Sequence, residues 1–260
     1  MSVGAAFDVD QALARAFGLA EDFEAMDSPW HSHGMHQILY SASGALHLHV
    51  PDGQWLLPPQ RAAWLSAGIR HRVRSGPSQL RTVYLSPFIT PTPARDCCVF
   101  AVSPLAREMI LAAMEWGPER DPEDPLAEHL FGALGLYCHR WVEAADPYHL
   151  PRAQSPELER AMEYILARLG EELSLNETAR HAGLSSRTLA RRFEAEAQTS
   201  FRGFLRSARL LRAMELLALP QARVTDVAFD VGFDSLAAFS RAFSEFTGEL
   251  PRDYRARLRP

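Results

Sequence analysis

Apolar and polar positions change rhythm twice along the chain. From residue 36 to residue 86, short apolar runs alternate with Gly, Pro and Ser, as in Gly44-Ala-Leu-His-Leu-His-Val50 followed by Pro51-Asp52-Gly53. A period of two bounded by turn formers predicts short strands in a small antiparallel barrel or sandwich. The rhythm then becomes helical. Leu105, Met109, Ala112 and Trp116, then Leu126, Leu130, Leu134, Tyr137 and Trp141, keep apolar stripes at helical spacing. These stripes cover the barrel, form a subunit interface, or do both. Residues 146–156 then hold three prolines, which remove backbone donors and restrict their predecessors, so this stretch reads as an extended linker. It divides the chain into residues 1–150, β-rich and then helical, and residues 151–260, helical nearly to the end.

Within the second part, Leu173-Ser-Leu-Asn-Glu-Thr-Ala179-Arg-His-Ala-Gly183-Leu-Ser-Ser-Arg187-Thr-Leu189-Ala-Arg191-Arg-Phe193 fits a short helix, a turn and a second helix. Gly183 permits the left-handed backbone that ends the first helix, and valine there is expected to disrupt the fold. Ser185 and Ser186 are N-cap candidates. Leu189 and Phe193 point inward four residues apart, which leaves Arg187, Ala190 and Arg191 facing outward. This is helix-turn-helix geometry, whose second helix enters the DNA major groove. The pattern returns: Ala228 and Gly232 repeat Ala179 and Gly183 at an offset of 49, and Phe239, Arg241 and Phe243 repeat Leu189, Arg191 and Phe193 at an offset of 50. One such match is weak evidence; two in tandem are strong. The connecting stretch 201–219, about 28 Å long as a helix, suits two reading helices set in successive major grooves about 34 Å apart.

On these motifs, and on the closing stretch Phe243-Ser-Glu-Phe-Thr-Gly248-Glu-Leu-Pro251-Arg-Asp-Tyr254-Arg255, residues 160–257 resemble the DNA-binding domain of AraC/XylS-type transcription regulators. The resemblance implies seven helices, an asymmetric double-stranded DNA operator and recruitment of RNA polymerase. Carried over by position, it implies base contacts from Ser186, Arg187, Ala190 and Arg191, then from Leu236, Ala237, Ser240 and Arg241. Gln198 stands where the family usually has Gly. The first reading helix offers arginines suited to guanine, the second mainly apolar tips suited to thymine methyls or to a positioning role.

Charge supports this division. Net charge is −5 overall, but residues 1–150 carry −7 and residues 151–260 carry +2. All 27 basic residues are Arg; a planar fork suits phosphate and guanine, while a GC-rich genome accounts equally for the absence of Lys. No apolar run reaches the eighteen or so residues of a membrane span. Acidic Asp8, Asp10, Glu21 and Asp22 interrupt residues 1–23, unlike an export signal. Cys97, Cys98 and Cys138 form no even framework, which fits a reduced cytoplasm and idle thiols.

Six of the ten histidines lie between positions 31 and 71. In Trp30-His31-Ser-His33-Gly-Met-His36-Gln37, strand alternation puts His31 and His33 on one face and leaves His36 out of phase as a reserve ligand. In Ser66-Ala-Gly68-Ile-Arg-His71, a turn delivers another imidazole. These two pieces resemble the motifs of the cupin barrel, with His31, His33 and His71 at its metal-histidine positions and Gln37 at its usual Glu position. The resemblance implies either a divalent transition metal (zinc, nickel, copper or iron) or an organic effector held by the same residues. His47 and His49, alternating with Leu46, Leu48 and Val50, are expected to point outward.

Cupin-like barrels commonly precede AraC-type readers, so the fold class expected is a cupin-like β-barrel with following helices, then an all-α domain with two helix-turn-helix units. The run 31–86 looks closest to regulators of a neighbouring efflux transporter gene. The function implied is a non-catalytic, homodimeric, cytoplasmic regulator sensing a small molecule or metal. The rival is a cupin metalloenzyme, dioxygenase-like, with secondary DNA binding.

Overall fold

In the computed structural model, residues 8–90 and 95–258 are described. The start of the segment weighed above against export, residues 1–7, lies outside them. Nine strands build the first part: β1 (Ala16–Phe23), β2 (Met26–Asp27), β3 (His36–Ser43), β4 (Leu46–Val50), β5 (Gly53–Leu57), β6 (Arg61–Leu65), β7 (Arg72–Ser75), β8 (Ser78–Leu85) and β9 (Cys97–Ala101). Period-two burial is plainest in β4, where Leu46, Leu48 and Val50 are buried and His47 and His49 are half-buried between them. One antiparallel sheet runs β1-β8-β3-β6-β9; a second contains β5-β4-β7-β2. Strand β6 is buried along its whole length, as a strand covered on both faces must be.

Helices α1 (Pro104–Ala112) and α2 (Pro125–Glu143) follow, capped by Ser103 and Asp124 with Pro at the first turn. The expected stripes overlap the inward faces in part: Leu134 is buried, and Met109, Ala112, Leu130, Tyr137 and Trp141 are half-buried. Ala106 and Ile110 are buried on α1, and Ala127, Phe131, Leu134, Gly135, Cys138 and Val142 on α2. Leu105 and Leu126 are 56% and 66% exposed. On α2 the polar residues Glu128, His129, His139, Arg140 and Glu143 fall on the side opposite the buried one, which keeps a helical spacing through Ala127, Phe131, Leu134, Cys138 and Val142.

The chain divides into two compact units, residues 1–50 with 55–146 and residues 147–260 with 51–54. The second unit holds seven helices among the described residues: α3 (Pro156–Leu166), α4 (Leu175–Ala182), α5 (Ser186–Ala197), α6 (Phe201–Leu217), α7 (Val224–Asp230), α8 (Leu236–Thr247) and α9 (Pro251–Leu258). A β-rich unit followed by a helical one agrees with the expected fold class. The connector α6 has 17 residues, about 25 Å, slightly under the expected span because Pro220 stops the helix early. Nine of its side chains are buried, and Phe201, Phe204 and Leu205 complete the core formed by Leu158, Ile165, Leu189 and Phe193. None of the helices among the described residues is long and apolar enough to cross a membrane.

Candidate DNA-reading face and histidine cluster

Both helix-turn-helix units are built from the same local devices. Gly183 (φ 76°) and Gly232 (φ 85°) take the left-handed conformation. After each, a backbone N–H closes back five residues, Leu184 to the Ala179 carbonyl (2.8 Å) and Phe233 to the Ala228 carbonyl (3.0 Å). Ser185 Oγ then accepts from Thr188 N–H, and Ser235 Oγ from Ala238 N–H, each at 3.2 Å, which fixes the start of α5 and α8. Leu189, Phe193, Phe239 and Phe243 are fully buried. The repeat offset grows from 49 to 50 because the second turn holds one extra residue between its glycine and its capping serine. Gln198 ends α5 at φ 51°, a conformation that costs a non-Gly residue about 1–2 kcal/mol, whereas Gly248 ends α8 at φ 78°.

The outward positions separate by chemistry. Arg187, Arg191 and Arg241 are exposed, and no ion pair holds any of them among the described residues. Next to Arg191, Arg192 is tied to Glu157 (2.8 Å) and Glu196 (3.8 Å). One arginine of the pair is a strut and the other is a free cation. Ala190 and Ser240 are half-buried, Leu236 and Ala237 exposed. Ser186 is half-buried and donates its hydroxyl to Asn176 Oδ1, so it braces α5 against α4.

In the first unit, His31, His33 and His71 converge, with one nitrogen from each lying within 4.8 Å of the others. They do not share a regular strand as expected. Pro29 lacks a donor, and His31 pairs with its neighbour only through an isolated antiparallel bridge to His71 (N···O 3.0 and 2.8 Å). Gly68 N–H holds the His33 carbonyl at 2.8 Å, and this joins the two histidine segments. His36 is no reserve ligand: it is buried elsewhere, with Nδ1 accepting from Ala67 N–H (2.9 Å) and its ring against Trp64.

Each clustered imidazole has Nδ1 against a backbone carbonyl: His31 on Pro29 (2.9 Å), His33 on Met35 (2.8 Å), His71 on Ile69 (3.0 Å). A carbonyl only accepts, so Nδ1 carries the proton and Nε2 keeps its lone pair. His71 Nε2 is buried with no hydrogen-bond partner. Gln37 Oε1 lies 3.3 Å from His33 Nε2, while Gln37 Nε2 donates to Tyr84 Oη at 3.2 Å. Two acceptors therefore face each other beside an orphaned third, an arrangement that suits a shared cation. Tyr84, which the sequence did not single out, enters through the β3–β8 register that sets it opposite Gln37. Burial raises the Tyr84 phenol well above its ordinary value, lowers His33 and pushes the His71 imidazole down to about 4. Burial also pushes the Cys98 thiol up to about 12, which keeps it from acting as a thiolate.

His71 has a folded-state value below the ordinary 6.5, so its contribution is present above pH 6.5 and lost as pH falls toward 4. The difference corresponds to about 3 kcal/mol. All five tryptophans lie in the first unit, so urea midpoints followed by tryptophan fluorescence isolate it. In chelator-treated protein, His71→Gln is expected to flatten the loss of stability between pH 7 and pH 4; an unchanged slope refutes this.

Comparison with known proteins places both parts. Residues 16–134 match an AraC-like ligand binding domain and residues 178–257 a helix-turn-helix domain. The chain is 28% identical over 252 residues to the HTH-type transcriptional regulator NimR of Escherichia coli, covering 96% of this chain and 90% of that protein. It is 32% identical over 124 residues to an uncharacterized HTH-type transcriptional regulator of Staphylococcus aureus, spanning 17% of that protein's length. Among solved structures, it is similar to the DNA-binding domain of the transcriptional factor AdpA in complex with a target DNA: 31% identity, 40% of this chain, 93% of that one, TM-score 0.38.

Proposed function

The chain belongs to the AraC-type transcription regulators, with a ligand-binding domain followed by a DNA-binding helix-turn-helix domain, and from that premise we propose how it reads its operator and what its sensor holds. Base contacts come from Arg187, Arg191 and Ala190 on α5, and from Leu236, Ala237, Ser240 and Arg241 on α8, with Ser186 as a brace. The observation carrying this reading is that Arg187, Arg191 and Arg241 are exposed and without ion pairs, unlike their neighbour Arg192. Arg187→Ala should cost about 1–3 kcal/mol on the selected operator and relax discrimination at one or two base pairs. Fluorescence anisotropy on specific and scrambled duplexes checks this; an equal loss on both would make Arg187 a phosphate contact.

The sensor unit holds a divalent transition metal (zinc, nickel, copper or iron) on Nε2 of His31, His33 and His71, with Gln37 Oε1 as a weaker ligand. The three preset tautomers and the orphaned His71 nitrogen support this. When bound, the ion supplies a Lewis-acidic position for an effector. An amide flip of Gln37 would satisfy the acceptor pair without an ion, and metal uptake decides between the two.

The protein acts in the cytoplasm as a homodimer that contacts RNA polymerase and controls a neighbouring efflux transporter gene. Exposed Leu126 and Leu136 on α2 (66% and 70%) support association through residues 104–145. Leu136→Glu should shift the molar mass seen by light scattering toward the monomer; an unchanged mass refutes that interface. The chain is not an enzyme. Oxygen consumption upon addition of ferrous ion would instead favour a dioxygenase-like reading of the histidine cluster.

A further inference from the structure

The proposed donor set carries no charge of its own. Its four members are neutral: three imidazoles with Nδ1–H committed to carbonyls, and one amide. Among the described residues, no carboxylate joins the three nitrogens as a further ligand. Asp10, bonded to the residue after His33, is exposed and spends Oδ1 on Gly34 N–H at 2.7 Å. His33, Gln37, His71 and Tyr84 are all buried. A doubly charged ion there would sit largely desolvated with its charge uncompensated, which proteins avoid by pairing.

We infer that the effector of this site is a small organic anion, a carboxylate, whose oxygen supplies the charge that the protein's own ligands lack. The inference rests on the metal reading above. The Tyr84 hydroxyl fits such a molecule. Tyr84 Oη accepts from Gln37 Nε2 and so retains its own hydrogen, available to a second carboxylate oxygen. Phe17 stacks on Tyr84 at 5.0 Å within a buried cluster that includes Met35, which holds the phenol in place beside Gln37. His31 is the exposed member of the cluster and marks the side open to solvent. A neutral site thus makes metal and anion mutually dependent: each compensates for the other's cost of burial, so binding is coupled.

The test uses the full chain loaded with cobalt(II) alone. Acetate and benzoate are titrated against their neutral isosteres acetamide and benzamide, following the visible cobalt spectrum and the thermal midpoint. The carboxylates should perturb the spectrum and raise the midpoint only when cobalt is present, and the amides should do neither. Gln37→Glu supplies the missing charge internally, so it should bind cobalt about tenfold more tightly and carboxylate about tenfold more weakly. Tyr84→Phe should retain the cobalt spectrum and weaken carboxylate binding severalfold. If acids and amides bind alike, or if Gln37→Glu takes up cobalt with carboxylate affinity unchanged, the inference is overturned while the metal site stands. If the wild-type chain takes up no cobalt, the metal reading fails and this inference falls with it.

Discussion

Gly232→Val is expected to abolish specific DNA binding, whereas Gly183→Ala is expected to leave it largely intact. Both glycines have positive φ, yet their surroundings differ. A Cβ at Gly183 would meet nothing within 4 Å, so alanine there costs only the left-handed backbone, about 1–2 kcal/mol. A Cβ at Gly232 would lie 2.5 Å from the Leu169 carbonyl oxygen and 2.6 Å from Arg209 Nη2. Arg209 is itself engaged, donating Nε to the Leu169 carbonyl (3.0 Å) and Nη2 to the Glu171 carbonyl (2.7 Å). Valine would add the strain of a β-branched residue at positive φ and displace this bridge, for a total of about 4 kcal/mol or more. Operator titration and hydrogen exchange across α7 and α8 measure the outcome. Equal effects at the two glycines would refute it. A positive φ at either glycine is legible from local pattern; a carbonyl arriving at Gly232 from 63 residues upstream is not.

His33→Ala is expected to eliminate transition-metal retention by the full chain, measured by elemental analysis after passage over a desalting column at neutral pH. In the proposed site His33 supplies Nε2, and it stands between His71 and Gln37, with ring centroids 5.2 Å from His71 and Gln37 Oε1 at 3.3 Å. Without it, two nitrogens and a neutral amide remain, too few for a stable site for these metals. His36→Ala is the control, because His36 is turned onto Trp64 and the Ala67 N–H. It should lower stability by leaving that half-buried donor without its partner, by about 1 kcal/mol, and keep the metal. Retention by His33→Ala, or loss in both variants, would remove the case for coordination. Burial holds His71 and His33 below the ordinary histidine value, so protons compete for these two nitrogens at lower pH than the 6.5 of a free imidazole.

The parts legible in the sequence are those whose signals are local. Gly183 and Gly232 as left-handed stops, Ser185 as a cap, and the inward pairs Leu189/Phe193 and Phe239/Phe243 all act within one or two turns. The parts that were not legible depend on distant partners. On α2 the expected stripe is offset from the buried one, which runs through Ala127, Phe131, Leu134, Cys138 and Val142 and shares Leu134 with it. His31 and His33 do alternate, but Pro29 leaves them on a bridged loop outside the sheets. Tyr84 reaches Gln37 across 47 residues, through a strand register that no short motif encodes. Arg187 and Arg192 look alike in sequence; only Glu157 and Glu196 make the second a strut.

Arg209 has a consequence for the DNA side. It projects from α6, the helix whose core residues serve the first reading unit, and clasps the 169–171 loop against Gly232, the turn of the second. Gly170 adds a second close approach, to the Asp230 carbonyl at 2.6 Å from its would-be Cβ. The two reading helices are thereby fixed as the jaws of one caliper. Inserting a single base pair between their half-sites turns one target by about 35° and moves it about 3.4 Å along the duplex. A clamped pair of jaws follows neither displacement, so this regulator should count base pairs between its half-sites as strictly as it reads the bases within them.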